Sequence, residues 1–125
     1  YSNINNIVDS DYTLCYRGAA NYSLRLYETL CLGRIPLFIN TDCVLPFEDD
    51  IDWKGISIWV EDNELDILDK KIMEFHHSMT NSQFREKQKL CRETWVKFLS
   101  KEGFIMNFHK NLTQKHYLQN IGVFT

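Results

Sequence analysis

Two short, almost wholly apolar runs, Tyr12-Thr13-Leu14-Cys15-Tyr16 and Ile35-Pro36-Leu37-Phe38-Ile39-Asn40, flank one helix-length segment with a glycine near each end, Gly18 and Gly33. Continuous apolar runs bounded by turn residues read as strands buried on both faces. Such strands belong to parallel sheets, because both faces must then be covered by helices. Between the runs, Arg17 to Asn21 reads as a tight loop. Asn21 or Ser23 can cap a helix running to about Leu32, and Gly33 suits its C-terminal stop. Pro36 is tolerable near a strand start or on an edge. Strand, loop, helix, strand is the βαβ unit of an α/β fold.

The rest of the chain divides in two. Residues 41–55 form a long loop with Pro46 and several acids, and residues 56–60 read as a third strand. From Leu65 onward Gly and Pro almost vanish. Leu68, Ile72, Phe75 and Met79 recur at helical spacing, and Phe84, Lys87, Cys91, Trp95, Phe98 and Leu99 make a second stripe after Asn81-Ser82. Phe104, Met106, Phe108 and Leu112 predict a last helical stretch. The expected organisation is a partial βαβ nucleotide-binding region over residues 1–64, with C-terminal helices over residues 65–125 packing on the same domain. Three strands are few for a complete doubly wound sheet, and strands preceding residue 1 in a longer parent would complete it. Residues 1–11 are polar and asparagine-rich, resembling neither signal peptide nor anchor, and the chain lacks an initiator Met.

Composition excludes some classes. With 125 residues, 44% apolar and 25% charged, the chain is a one-domain globular length and not a disordered one. A net charge of −3 argues against general nucleic-acid binding. No apolar run reaches membrane-span length. Cys15, Cys31, Cys43 and Cys91 lack zinc spacing and sit beside apolar residues, so they read as buried free thiols, which favours a reducing compartment such as the cytoplasm.

Chemistry converges on the first βα unit. A helix N-terminus after a glycine-containing loop exposes unpaired N–H groups and partial positive charge, which suit phosphate. In open α/β sheets ligands lie beyond the C-terminal strand ends, where this loop falls. Arg25 and Glu28 share a helix face at i,i+3: a guanidinium fork for a diphosphate, a carboxylate for ribose hydroxyls. The same spacing equally describes a plain surface ion pair.

The segments Cys15-Tyr16-Arg17-Gly18, Ser23-Leu24-Arg25-Leu26-Tyr27-Glu28 and Gly33-Arg34-Ile35-Pro36, followed by Asp42, Leu45-Pro46-Phe47 and Asp52-Trp53, resemble the donor-binding segment of the exostosin glycosyltransferases. The resemblance runs from about Ser10 to Val60. It implies an inverting glycosyltransferase of GT-B architecture, of which this chain is the Rossmann-like, C-terminal, donor-binding part. It implies a nucleotide-sugar donor, a glycan or other hydroxyl acceptor, and no metal or other cofactor. Carried over by position, Gly18 faces the diphosphate, Ser23 and Arg25 contact phosphate, Glu28 contacts the ribose, Arg17 adds a phosphate or sugar contact, and Asp42 approaches the donor. Tyr16 stands where the family often has Pro, and Ala20 where a second glycine is common, which bears on loop shape and sugar choice. The catalytic base is not identified. The GT-B pattern also implies an N-terminal domain for acceptor contacts, so the chain is expected to dock to such a domain or to dimerise. A eukaryotic exostosin would work in the Golgi lumen.

Other features read as structural. Asp50-Ile51-Asp52 spells a metal-binding D-x-D but lies in a turn-rich acidic loop. His76 and His77 are adjacent and point about 100° apart on a helix, so they cannot share a metal. Asn21-Tyr22-Ser23 and Asn111-Leu112-Thr113 are formal sequons, and Lys87, Lys89 and Arg92 a solvated basic stretch. Two further readings stand beside the enzyme: a non-catalytic nucleotide-binding or interaction module, and, more distantly, a receiver-like signalling domain.

Overall fold

The computed structural model describes residues 2–16, 24–42 and 44–120. In chain order the elements are α1 (Ser2–Val8), β1 (Tyr12–Tyr16), α2 (Leu24–Cys31), β2 (Ile35–Asn40), β3 (Ile58–Glu61), a 3₁₀ segment (Asp62–Ile67), α3 (Leu68–His77), α4 (Asn81–Thr94), a π-helical turn (Trp95–Leu99) and α5 (Lys101–Asn120). The strands form a parallel sheet in the order β1-β2-β3. This is the small parallel sheet with C-terminal helices expected of a Rossmann-like fragment.

The pairing register fixes which residues share a face, since side chains alternate along a strand. Cys15 lies beside Phe38, and Phe38 beside Trp59. That face packs against Leu26 and Leu30 of α2, Cys91 of α4 and Phe98 of the π-turn. On the other face Leu37, Ile39, Ile58 and Val60 form a second cluster under Leu68, Ile72 and Phe75, the α3 stripe predicted from sequence. Ile35, Phe38 and Ile39 are at most 2% exposed, so β2 is dry on both sides. Coverage ends at β1, where Leu14 and Tyr16 are 54% and 57% exposed on the α3 face.

Helix ends follow local chemistry. Gly33 has φ +66, and the amides of Gly33 and Arg34 close on the carbonyls of Leu30 and Thr29, which ends α2. Thr80 and Gln83 form a reciprocal capping box that starts α4.

Three expectations change. Residues 2–8, part of the polar, asparagine-rich stretch to which the sequence pattern assigns no element, are helical, and Ile7 is fully buried. The third strand is Ile58–Glu61 rather than residues 56–60, because the Ser57 hydroxyl donates to the Trp53 carbonyl at 2.6 Å and holds the preceding residues in the loop. The last helix is far longer than its apolar pattern indicated, at 20 residues. It starts where Ser100 turns extended and accepts the Gly103 amide at 3.1 Å. Among the described residues no helix is long and apolar enough to cross a membrane.

Gly103 is where α5 crosses the π-turn. A Cβ there would run into the carbonyl oxygens of Lys97 and Val96. Helix propensity alone predicts that Gly103→Ala stabilises by about 1 kcal/mol. The close backbone approach predicts the opposite sign, a loss of about 1–3 kcal/mol. Denaturant unfolding of the variant decides, and a gain in stability refutes the packing account.

Candidate functional site

Parallel pairing brings the C-terminal ends of β1, β2 and β3 to one sheet edge. Tyr16 lies opposite Ile39, and Asn40 opposite Glu61. Of the residues expected to hold a donor, Arg17, Gly18 and Ser23 lie outside the described residues. Arg25 and Glu28 occupy the first two turns of α2, and Asp42 follows the end of β2 with φ +63 and is exposed.

α2 is fastened to the sheet directly behind Arg25. The Cys15 thiol donates to the Thr13 carbonyl at 3.3 Å and sits 3.7 Å from the Thr29 hydroxyl. That hydroxyl donates to the Arg25 carbonyl at 2.6 Å. Burial pushes the Cys15 thiol up to about 11, so it is neutral near pH 7 and serves as a packed, weakly polar link rather than a nucleophile. Burial likewise raises Cys91 to about 12, and its thiol donates to the Ile56 carbonyl. Both are the buried free thiols expected, Cys31 is half-buried, and Cys43 lies outside the described residues.

The i,i+3 ion pair between Arg25 and Glu28 does not form. The ion pairs among the described residues are Lys70–Glu74, Lys71–Glu64 and Lys89–Glu93. The Arg25 guanidinium instead donates to Asn6 Oδ1 on α1 at 2.6 Å. Glu28 is exposed beside it on α2. Arg25 therefore keeps its positive charge without a carboxylate partner among the described residues. Sequence reasoning missed Asn6. The available signal was Ile4, Ile7 and Val8 at i, i+3, i+4, a short helical pattern inside a polar stretch.

Sequence reasoning also missed a polar network at the ends of β2 and β3. Glu61 accepts from Trp59 Nε1 and Asn40 Nδ2, each at 2.8 Å. Lys54 lies 5.7 Å from the Trp59 ring centroid. These hydrogen bonds, first Trp59 and then Asn40, hold the Glu61 carboxyl below its usual range. In the loop after β2, Asp52 Oδ1 accepts the Gly55 amide at 3.2 Å, and Trp53 Nε1 donates to the Pro46 carbonyl at 3.0 Å. Asp52 and Trp53 thus hold the loop's own fold. His76 Nδ1 lies 2.8 Å from the Tyr12 hydroxyl, tying α3 to β1. Two grooves lie elsewhere, one between α3 and α4 at Phe75, Lys87 and Leu90, the other between the Leu45-Pro46-Phe47 loop and α5 at Phe104 and Phe108. Neither is lined by Arg25, Glu28 or Asp42.

Because its folded pKa is lowered, Glu61 contributes stability that is present above the ordinary carboxylate range and lost as pH falls through the folded value. Glu61→Gln is expected to cost about 1 kcal/mol near pH 7. The difference from the unsubstituted chain should shrink in acid. Denaturant titrations across pH 3–7 check this (about the carboxylate window), and a pH-independent difference contradicts it.

Comparison with known proteins gives these positions a setting. Residues 3–75 match the Exostosin GT47 domain. The match begins in α1 and runs into α3, wider at both ends than the resemblance read from motifs. The chain is 40% identical over 86 residues to "Probable glucuronosyltransferase 47 A" of Physcomitrium patens, covering 69% of this chain and 18% of that protein. It is 41% identical over 58 residues to "Probable beta-1,4-xylosyltransferase IRX10L" of Arabidopsis thaliana, covering 46% of this chain and 14% of that protein. A probable glucuronosyltransferase of Oryza sativa subsp. japonica is 43% identical over 58 residues, with the same coverage. The chain spans less than a fifth of the length of these relatives. Since the domain match takes in more than half of the 125 residues, the chain belongs to the exostosin GT47 family of glycosyltransferases.

Proposed function

We propose that the chain is the donor-binding part of an exostosin-type glycosyltransferase, which holds a nucleotide sugar while the sugar passes, with inversion, to a hydroxyl of a glycan or other acceptor. The observation that carries the reading is Arg25. It stands in the first turn of the helix after β1, on a backbone fastened to the sheet, and no carboxylate among the described residues neutralises its charge. A fixed cation beside a helix N-terminus can stabilise the charge that develops on a departing diphosphate. Glu28, on the same helix, is assigned to the ribose hydroxyls. Arg17, Gly18 and Ser23 are assigned to the phosphates through the loop that precedes it, and Asp42 to the donor from the end of β2. The reaction uses no metal in this reading. The names of the relatives point to a glucuronosyl or xylosyl donor. The acceptor site and the catalytic base are assigned to a partner domain. Location follows the parent enzyme, the Golgi lumen for a eukaryotic one and the cytoplasm otherwise.

A second reading, a binding or interaction module without turnover, draws support from α5. Ile105, Met106, Phe108 and Leu112 on it are each at least half exposed, an apolar surface suited to a protein partner. The same surface serves the first reading if a preceding domain docks there.

Calorimetric titration with UDP and with GDP, without and with a divalent metal, tests the donor reading. One nucleotide is expected to bind without metal. Arg25→Ala is expected to weaken it about 10- to 100-fold, as for a charge-assisted hydrogen bond. No binding by a folded chain, or undiminished binding by Arg25→Ala, overturns the assignment.

A further inference from the structure

We propose that Asn6 is a positioning residue for Arg25, and that it orients the guanidinium toward the donor's diphosphate while leaving its charge available. The inference rests on the donor reading above and adds a residue to it. Guanidinium has donors only, so the 2.6 Å contact requires the Asn6 carbonyl oxygen to face Arg25. One of the two terminal nitrogens is thereby held, and among the described residues no side-chain or backbone acceptor takes the remaining N–H groups of the fork.

The acceptor is itself held in place. Asn6 sits next to Ile7, which is fully buried and anchors α1 to the body of the domain. The Asn6 backbone carbonyl accepts the Ser10 hydroxyl at 2.6 Å, and Arg34 Nε donates to the Val8 backbone carbonyl at 3.3 Å, so α1 is fastened at its C-terminal end as well. On the other side, Thr29 holds the Arg25 backbone. Both ends of the Arg25 side chain are thus fixed, its root by the sheet and its tip by α1. That is preorganisation, since ordering a long, flexible side chain in advance removes an entropic cost from binding.

The choice of an amide is the informative part. A carboxylate at this position would hold the guanidinium at least as firmly, but would neutralise it and compete with an incoming phosphate. Asn supplies the same geometry without the charge. A merely structural tie between α1 and α2 has no use for that distinction.

The test is a double-mutant cycle on the full chain, with UDP as the probe, calorimetry as the readout, and thermal unfolding run on every variant. Asn6→Ala is expected to weaken UDP binding about 2- to 10-fold, the range of one hydrogen bond. Asn6→Asp is expected to keep the unfolding midpoint and to weaken UDP binding more than Asn6→Ala does. Both effects are expected to vanish in an Arg25→Ala background. Unchanged affinity in Asn6→Ala overturns the inference, as does an equal loss with and without Arg25, which is the mark of a structural role. Affinity of Asn6→Asp equal to that of the unsubstituted chain overturns the charge argument. If Arg25→Ala itself leaves UDP binding unchanged, the donor reading fails first, and the inference with it.

Discussion

The two-sided burial of β2 organises the domain. A strand whose residues from Ile35 to Ile39 are all buried needs a helix layer above and another below. α2, α4 and the π-turn supply one, and α3 supplies the other. Parallel pairing of β1 and β3 on either side of β2 follows from the crossover connections. It sends all three strand ends to one edge, where the polar residues collect. The position of the candidate region is therefore a consequence of the apolar centre: Asn40 and Glu61 end their strands there, Asp42 follows β2, and Arg25 stands in the first turn of the helix after β1.

Between that centre and the site runs a short chain of polar contacts. Cys15 and Thr29 are each fully buried, their side chains meet between strand and helix, and the Thr29 hydroxyl donates to the Arg25 carbonyl. A buried thiol is small and weakly polar, so it fills this contact without the desolvation penalty of a charge. On the solvent side Asn6 completes the arrangement around the guanidinium. The family match begins at residue 3, so α1 belongs to the matched region although its sequence is mostly asparagine and serine.

Cover of the sheet is uneven. α3 reaches Tyr12 through Phe75 and His76, but Leu14 and Tyr16 beyond it stay more than half exposed on a strand that pairs on one side within the described sheet. α5 is uneven in the same way, with Ile105 and Met106 more than half exposed. Open strand edges and apolar helix faces are the surfaces through which α/β domains join further elements.

Much of this was present in the chain order of residue types. The apolar runs of β1 and β2, the stop at Gly33, the α3 stripe and the start of α4 near Asn81-Ser82 are local signals, set by burial periodicity and by backbone groups that need partners. Family membership was also legible, because Arg17-Gly18, Arg25 with Glu28, and Leu45-Pro46-Phe47 occur together in order. What the Arg25 side chain binds was not legible. At i,i+3 a carboxylate was available, and the tertiary structure chose a neutral amide 19 residues away instead. The same holds for Glu61, whose partners come from its own strand and from β2, and for Gly103, whose need for hydrogen in place of a methyl arises only from a crossing of two helical segments. Sequence determines what local periodicity and capping can express. The partners of long polar side chains depend on which elements become neighbours, and that is decided only when the core closes.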